Sequence, residues 1–346
     1  MLKKDNFTIE HIQEIRKKSS SDPAILERTI FAFGLLESLV RVDMPFVFKG
    51  GTCLMLLLKS PRRLSTDIDI IVKPGTDINH YIEEASRYFP FVKFEEQRRT
   101  EKNNIEKKHF KFYYDSPVNK KEFYILLDVL FEENHYNTLV QKHITSEILL
   151  TEEPYLKVNV PSIDCILGDK MTAFAPHTTG IPFDVNKEME IIKQLFDVAT
   201  LVGECDNFAD IYESYMRTVE LEIAYRGSSS SAEDALLDAI STAACIVSRG
   251  TNSPDEYGKL LGGIKSIRTH MYQETYSGEI AAIQACSVMY MAACILKNHP
   301  FHRITEPEIY IKESIGKSKY KKLGYMKKMK LEAYGYLVEA VHLLES

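Results

Sequence analysis

The stretch from Phe46 to Val72, FVFKGGTCLMLLLKSPRRLSTDIDIIV, leaves its part of the chain few ways to fold. Phe46-Val47-Phe48 is short, apolar and β-prone. Gly50-Gly51-Thr52 is a turn that opens into the apolar stretch Leu54 to Leu58, with Pro61 as a breaker beyond it. After Arg62-Arg63-Leu64 come Ser65-Thr66-Asp67-Ile68-Asp69-Ile70-Ile71-Val72, where carboxylates alternate with β-branched residues. Alternation at period two puts Asp67 and Asp69 on one face of a strand and Ile68 and Ile70 on the other. Two carboxylates side by side repel each other, so that face lies in water or meets a divalent cation. Hard oxygen ligands suit Mg²⁺ or Mn²⁺, and Mg²⁺ is commonly held by one or two carboxylates plus substrate phosphates.

The glycines supply the other half of the chemistry. Gly50 and Gly51 let the backbone approach a ligand closely, and the helix after them points its N–H groups at the same place. A phosphate cradle beside a two-carboxylate metal site is what nucleotidyl transfer requires. Either motif alone reads equally as a turn or an exposed acidic strand start. Together, with about a dozen residues between them and apolar runs on both sides, they are specific.

The rest of the chain sets the frame. At 346 residues it exceeds one typical domain, so two are expected. Hydrophobic residues at 45% and charged residues at 27% fit a globular protein with a sizeable core. The net charge of −6 excludes a uniformly basic nucleic-acid clamp, though not a local basic patch. The N-terminus, MLKKDNFTIEHIQEIRKK, has no apolar signal-peptide core, no stretch of 18 apolar residues predicts a membrane span, and the six cysteines show no metal spacing. These features predict a cytoplasmic protein with reduced core cysteines and no membrane contact.

Helices are expected over Thr8–Lys18 and after Asp22-Pro23, where Asp caps and Pro occupies the first turn. From residue 46 to about 160 strand and helix signals alternate. Asp77 reads as the cap of a helix running to about Tyr88, and Phe91 begins a strand. Glu95–Lys108 is polar and charged and reads as a hairpin tip or a mobile loop, with Arg98, Arg99, Lys102, Lys107 and Lys108 on a solvated surface. His109–Tyr114 and Glu122–Phe131 read as strands around a turn at Ser116–Lys121, and Tyr155–Val160 is a last β-type run. From Ser162 on the pattern is helical: Ile163–Ala175, Asp184–Val202, Phe208–Tyr225, Ala232–Ser248, Pro254–Tyr272, Ser277–Lys297 and a long basic helix over Lys317–Leu344. The fold class is therefore α+β, a mixed sheet flanked by helices and followed by an all-helical C-terminal part. The expected domains are residues 1–160 and 161–346.

Three further residues stand out. Asp128 interrupts the apolar run EFYILLDVLF. A carboxylate there is costly unless paired, hydrogen-bonded or bound to metal, and otherwise it faces solvent at a strand end. Glu132 and Glu133, close behind, compete for the same role. Lys170, in the apolar helix IDCILGDKMTAFA, either extends to solvent or meets an anion. In EMEIIKQLFDVATL, Asp197 lies four residues after Lys193 and by itself suggests an intrahelical pair.

KGGTCLMLL followed by RRLSTDIDI resembles the first motif of the nucleotidyltransferases of the DNA polymerase beta superfamily, and in detail the AbiEii/AbiGii toxin family, which includes the MenT toxins. That family shows a Gly-Gly-Thr or Gly-Ser turn, then an Arg, Ser or Thr, and Asp-x-Asp. It carries a third carboxylate on a later strand, which Asp128 matches. It also carries a helical D/E-K pair, matched by Asp169-Lys170, and a Lys/Arg-x-x-x-Asp motif, matched by Lys193 to Asp197 with Lys193-Gln194 in place of the usual Arg-Asp. The resemblance implies a nucleotidyltransferase fold and metal-dependent transfer of NMP from NTP. It implies Asp67, Asp69 and Asp128 on Mg²⁺ or Mn²⁺, with Asp128 helping to deprotonate the acceptor hydroxyl. Gly50, Gly51 and Thr52 would hold the phosphates, with Ser65 and Thr66 beside the metal. Lys170 would contact the phosphates, and Asp197 would orient Lys170 or line the pocket. In some relatives a serine at the place of Ser65 is phosphorylated by an antitoxin kinase.

Relatives modify the 3′ end of tRNA as the toxin of a toxin–antitoxin pair, which implies tRNA as acceptor and an antitoxin as partner. The basic segment Lys317, Lys319, Lys321, Lys322, Lys327, Lys328 and Lys330 either tracks an RNA backbone or is a solvated helix face. The alternative readings are transfer to a small molecule or a protein side chain, and a catalytically silent NTP-binding module. Intact Asp67, Asp69 and Lys170 speak against the silent module.

Overall fold

Asp22 begins the architecture as its sequence predicts. Its side chain accepts from the amides of Ala24 and Ile25, and Pro23 fills the first turn. The computed structural model describes residues 1–19, 21–97, 106–251 and 253–346. It divides into two units, Met1–Ser162 with Thr269–Thr275, and Ile163–Arg268 with Tyr276–Ser346.

In the first unit, α1 (Ile9–Ser19) and α2 (Pro23–Arg41) precede β1 (Val47–Lys49), α3 (Gly50–Leu57) and β2 (Ile68–Val72). Then come α4 (Asn79–Ala85), β3 (Lys93–Glu96), β4 (Lys107–Asp115), β5 (Glu122–Phe131), β6 (Leu139–His143) and β7 (Lys157–Pro161). The main sheet runs β1-β2-β5-β4-β3. Only its β2–β5 pairing is parallel. The two-residue period of β2 holds: Ile68 and Ile70 are buried while Asp67 and Asp69 are half-buried. Ile68, Ile70, Leu127, Val129, Phe112 and Tyr114 make the covered face. There Phe31 of α2 stacks on Tyr114 at 3.9 Å. The returning segment adds a bridge of Met271 to Arg63, and Leu64 donates to the His270 carbonyl at 2.6 Å, which fixes the approach to β2.

The second unit is helical: α5 (Ile163–Ala173), α6 (Glu188–Val202), α7 (Phe208–Arg226), α8 (Ala232–Val247), α9 (Pro254–Ser266), α10 (Gly278–Leu296), α11 (Met326–Met329) and α12 (Leu331–Glu345). Ser231 and Asp234 form a capping box at α8, and Gly227 ends α7 with a positive φ of 57°. Gly168 lets α5 meet α7 closely, since a Cβ there would lie 2.5 Å from the Ile211 carbonyl oxygen. α10 is long and apolar enough to cross a membrane, yet 72% of its apolar window is buried in the protein, as befits a core helix. All six cysteines are buried thiols, and burial pushes Cys245 up to about 11.

Several expectations are corrected. β6 had no signal because both faces of LVQKH are exposed or half-exposed, so no hydrophobic alternation marks it. α9 ends at Ser266 and a 3₁₀ turn comes after it. The long basic helix is broken: Lys321–Tyr325 is a 3₁₀ segment, and Lys330 is extended (φ −154°, ψ 110°) between α11 and α12. Arg98, Arg99 and Lys102 lie outside the described residues.

Glu27 of α2 is 1% exposed and accepts from Tyr114 Oη (2.9 Å), Ser116 Oγ (2.9 Å) and the Val118 amide (2.8 Å). Burial and the neighbouring carboxylate push the Tyr114 phenol far up, so it stays a donor. Replacing Glu27 with Ala strands two buried hydroxyl donors and the half-buried Val118 amide. The Glu27→Ala variant is expected to lose about 3 kcal/mol of unfolding free energy. Urea denaturation followed by far-UV circular dichroism measures it, and an unchanged midpoint would contradict this account of how α2 is held to the sheet.

Candidate functional site

Strand register builds the site. Lys49 on β1 pairs with Asp69 on β2, Asp69 pairs with Asp128 on β5, and Asp128 pairs with His109 on β4. Register partners point to the same side of a sheet. Lys49, Asp69, Asp128 and His109 therefore form one row across four strands, on the face opposite the α2 core. Like charges directly opposite each other destabilise a sheet, so the adjacent Asp69 and Asp128 need positive partners. Lys49 stands beside Asp69 in the row, and His109 Nδ1 lies 2.5 Å from Asp128 Oδ1, with side chains 14% and 32% exposed. The structure thus resolves Asp128 as hydrogen-bonded and opposite Asp69. Glu132 lies beyond the row, against His135 at 3.3 Å, and Glu133 is exposed.

The glycine turn presses on this row. Gly50 has φ +79°, and a Cβ there would stand 2.0 Å from Asp69 Oδ2. Only glycine gives that backbone shape and that space at once. A Cβ on Gly51 would meet Arg63 Nη2 at 2.7 Å and Ser65 Oγ at 2.8 Å. The first turn of α3, whose amides have no partner within the helix, thus opens beside a carboxylate, a guanidinium and a hydroxyl. Arg63 is 7% exposed, and its Nη1 donates to the Leu64 carbonyl at 3.2 Å.

Asp67 is placed differently from Asp69. Arg28 Nη2 lies 3.4 Å from its Oδ1, and Thr66 Oγ1 donates to the same oxygen at 3.3 Å. Thr52, fully buried, donates its hydroxyl to the Asp67 carbonyl at 2.6 Å. Its side chain staples α3 to the start of β2.

The carboxylates fit a divalent cation in a particular way. Among the described residues no three His, Cys, Asp or Glu side chains converge on one point. Asp69 and Asp128 are adjacent, while Asp67 is turned to Arg28. A half-exposed pair at 3.4 Å is worth about 0–1 kcal/mol, so releasing Asp67 costs little. Two adjacent carboxylates beside the glycine turn suit an ion that brings most of its oxygens with it.

Lys170 and Asp197, both in the second unit, are brought together. Lys170 Nζ is 3.1 Å from Asp197 Oδ2 and donates to Gln194 Oε1 at 3.1 Å, with Lys170 and Asp197 side chains 11% and 1% exposed. Of the two options for a lysine in an apolar helix, it meets an anion. Lys193 donates to Glu190 at 2.9 Å, so the Asp197 charge is answered from α5.

Sequence reasoning missed His109, Lys49, Arg63 and Arg28. His109 was within reach: it stands six residues before the last residue of β4, and Asp128 six after the first of β5, so a symmetric hairpin pairs them. Arg28 left no signal, because α2 reaches Asp67 only through tertiary packing. Its Nε is buried with no hydrogen-bond partner among the described residues, and its guanidinium lies 5.4 Å from the Phe123 ring.

Residues 35–249 match the model of the family described as nucleotidyl transferase AbiEii toxin, type IV toxin–antitoxin system. The chain belongs to this family. It is a nucleotidyltransferase of the toxin–antitoxin class, a family that generally uses an NTP and a divalent metal and whose type IV system implies an antitoxin partner. Among solved structures it is similar to JHP933 from Helicobacter pylori, at 16% identity and a TM-score of 0.43, covering 79% of this chain and 93% of that one. A second H. pylori protein, provisionally assigned as a nucleotidyltransferase, matches at 15% identity and 0.46, over 80% of this chain and 99% of that one. An antigenic nucleotidyltransferase-like protein from Paracoccidioides brasiliensis matches at 15% identity and 0.36, over 58% and 93%. No curated protein matches the chain.

The Gly50 geometry generates a test. In the Gly50→Ala variant the new methyl group pushes Asp69 aside, and transfer is expected to fall about 10²-fold. The helical content read by circular dichroism should be kept. Activity within a few-fold of wild type would show that the Gly50–Asp69 contact does not shape the site.

Proposed function

We propose that the protein transfers NMP from an NTP to the 3′-terminal hydroxyl of tRNA, as a Mg²⁺- or Mn²⁺-dependent cytoplasmic toxin restrained by its antitoxin. The observation that carries the chemistry is the row Lys49–Asp69–Asp128–His109 with Gly50 closed on Asp69. The acceptor rests on the family resemblance and on the basic segment near the C-terminus.

In this reading residues 1–160 carry the triphosphate and metal chemistry, and residues 161–346 supply Lys170 and Asp197 and meet the acceptor. Asp69 and Asp128 would hold the cation, and Asp67, whose contact with Arg28 is weak, would be available as a further ligand. The cation, when bound, neutralises phosphate charge. The amides of Gly50, Gly51 and Thr52 cradle the phosphates, and Arg63 and Ser65 border that cradle. Ser65 sits where a phosphoryl group would block the cradle, which makes it the candidate for antitoxin control. Lys170 acts as a point charge on the phosphates, its ammonium held in place by Asp197 and Gln194. Asp128, braced by His109, takes the proton of the attacking hydroxyl. The work is positioning and charge stabilisation, with no covalent intermediate on the protein.

The test is incubation with Mg²⁺, total tRNA and each α-labelled NTP in turn, beside the Asp67→Ala/Asp69→Ala double variant. Label on the tRNA 3′ end with wild type and none with the variant is the expected result, and it names the nucleotide. Label on a small molecule or a protein instead would move the acceptor. NTP binding with no transfer to any acceptor class would favour the silent module.

A further inference from the structure

The last basic stretch of the chain does not form the helix that its sequence suggests, and the consequence is a cavity. Lys317–Lys330, KSKYKKLGYMKKMK, holds seven lysines and no carboxylate, in a chain of net charge −6. The segment is pinned down along its length. Ile315, Leu323 and Met326 are buried, Tyr325 Oη donates to the Val247 carbonyl at 2.5 Å, and the Lys319 amide donates to Glu345 Oε1 at 3.1 Å. Ser318 Oγ donates to the Ile315 carbonyl at 2.8 Å and accepts from the Tyr320 amide at 3.1 Å. Lys317, Lys319, Lys321, Lys322 and Lys328 remain exposed on this scaffold. Among the described residues no carboxylate lies within ion-pair distance of these five, whereas Lys330 has Glu332 at 3.8 Å.

Residues 319–323 form one wall of a cavity of about 360 Å³ against α8. Ile240 and Ala244 give it an apolar floor, and Ser241 and Ser248 add hydroxyls. Tyr320 is half-buried at the wall, with Lys319 Nζ 5.1 Å from its ring centroid. An apolar, aromatic-edged hollow with unneutralised lysines on its rim matches one ligand chemistry well: a planar base flanked by phosphates. Single-stranded binders combine a cationic track with aromatic surfaces in this way. A duplex hides its bases, and an acidic polypeptide would have no use for the hollow.

We propose that this cavity and its lysine wall dock single-stranded RNA. The base enters the hollow beside Tyr320 and the flanking phosphates lie on Lys319, Lys321 and Lys322. The proposal deepens the tRNA reading and rests on it for the role in transfer, though not for binding itself.

The test uses the full-length protein and a short fluorescein-labelled single-stranded RNA, read by anisotropy from low to physiological salt. The Lys319→Ala/Lys321→Ala/Lys322→Ala variant is compared with a control carrying Lys297→Ala and Lys312→Ala. Loss of three phosphate contacts is expected to weaken binding at least tenfold and to lower the log–log salt slope by about 2. Tyr320→Ala alone should weaken it about tenfold by loss of stacking, with the salt slope unchanged. Polyglutamate should not compete. RNA affinity equal to wild type in the triple variant would overturn the proposal, and so would polyglutamate binding as tightly as RNA, which would make the surface a protein-docking face. Parallel transfer assays separate the two claims. Wild type that labels tRNA beside a triple variant that binds RNA normally sinks this site and leaves the tRNA reading intact. A triple variant that loses RNA binding, beside wild type that labels no tRNA, keeps the site and sinks the tRNA reading.

Discussion

Asp69 and Asp128 stand opposite each other on adjacent parallel strands, and most of the first unit is arranged to tolerate that. Two like charges at neighbouring register positions weaken the sheet that carries them. The sheet answers with a lysine at one end of the row, Lys49 beyond Asp69, and at the other an imidazole hydrogen-bonded to Asp128, His109. It also places the pair on the face away from α2, so the apolar residues between them in sequence can still be buried. A structure that keeps such a repulsion in place has a use for concentrated negative charge, and a divalent ion arriving with a triphosphate is the partner that suits it.

The supports reach well beyond the row. Gly50 lets α3 start against Asp69, and Thr52 ties that helix to the backbone of Asp67. Glu27 anchors α2 to Tyr114 and to the turn between β4 and β5, the same hairpin that presents His109 to Asp128. From α2, Arg28 reaches Asp67. The hydrogen bonds that hold the core and the side chains of the candidate site are thus carried on shared elements. In the second unit the same economy appears on a smaller scale, with Lys170 fixed between Asp197 and Gln194.

How much could be read from the residues depends on how local the causes are. The Phe46–Val72 stretch states its own structure, because a period of two, a glycine pair and a proline act within a few residues. Asp128 is conspicuous because it interrupts an apolar run. His109 needed one further step, counting outward from the hairpin turn. Arg28 and Arg63 depend on contacts between elements distant in sequence, where local pattern is silent, and the Lys170–Asp197 pair was reached only through the family motifs. β6 was invisible since neither of its faces is buried, so nothing selects alternation. The broken C-terminal helix misled for the opposite reason: lysines at helical spacing look like a solvated helix face. What decides the backbone there is the anchoring of Ile315, Leu323 and Met326 in the core.

The most direct measurement of the central claim is Mn²⁺ binding, monitored by electron paramagnetic resonance, with and without a non-hydrolysable NTP. Wild type should bind Mn²⁺ tightly only with the nucleotide present. Asp69→Asn and Asp128→Asn should each weaken that binding at least tenfold, and the double variant should be little worse than either, since both groups serve one ion. Nucleotide-dependent Mn²⁺ binding that survives both substitutions would contradict the account, because the carboxylate pair would then not be the metal site.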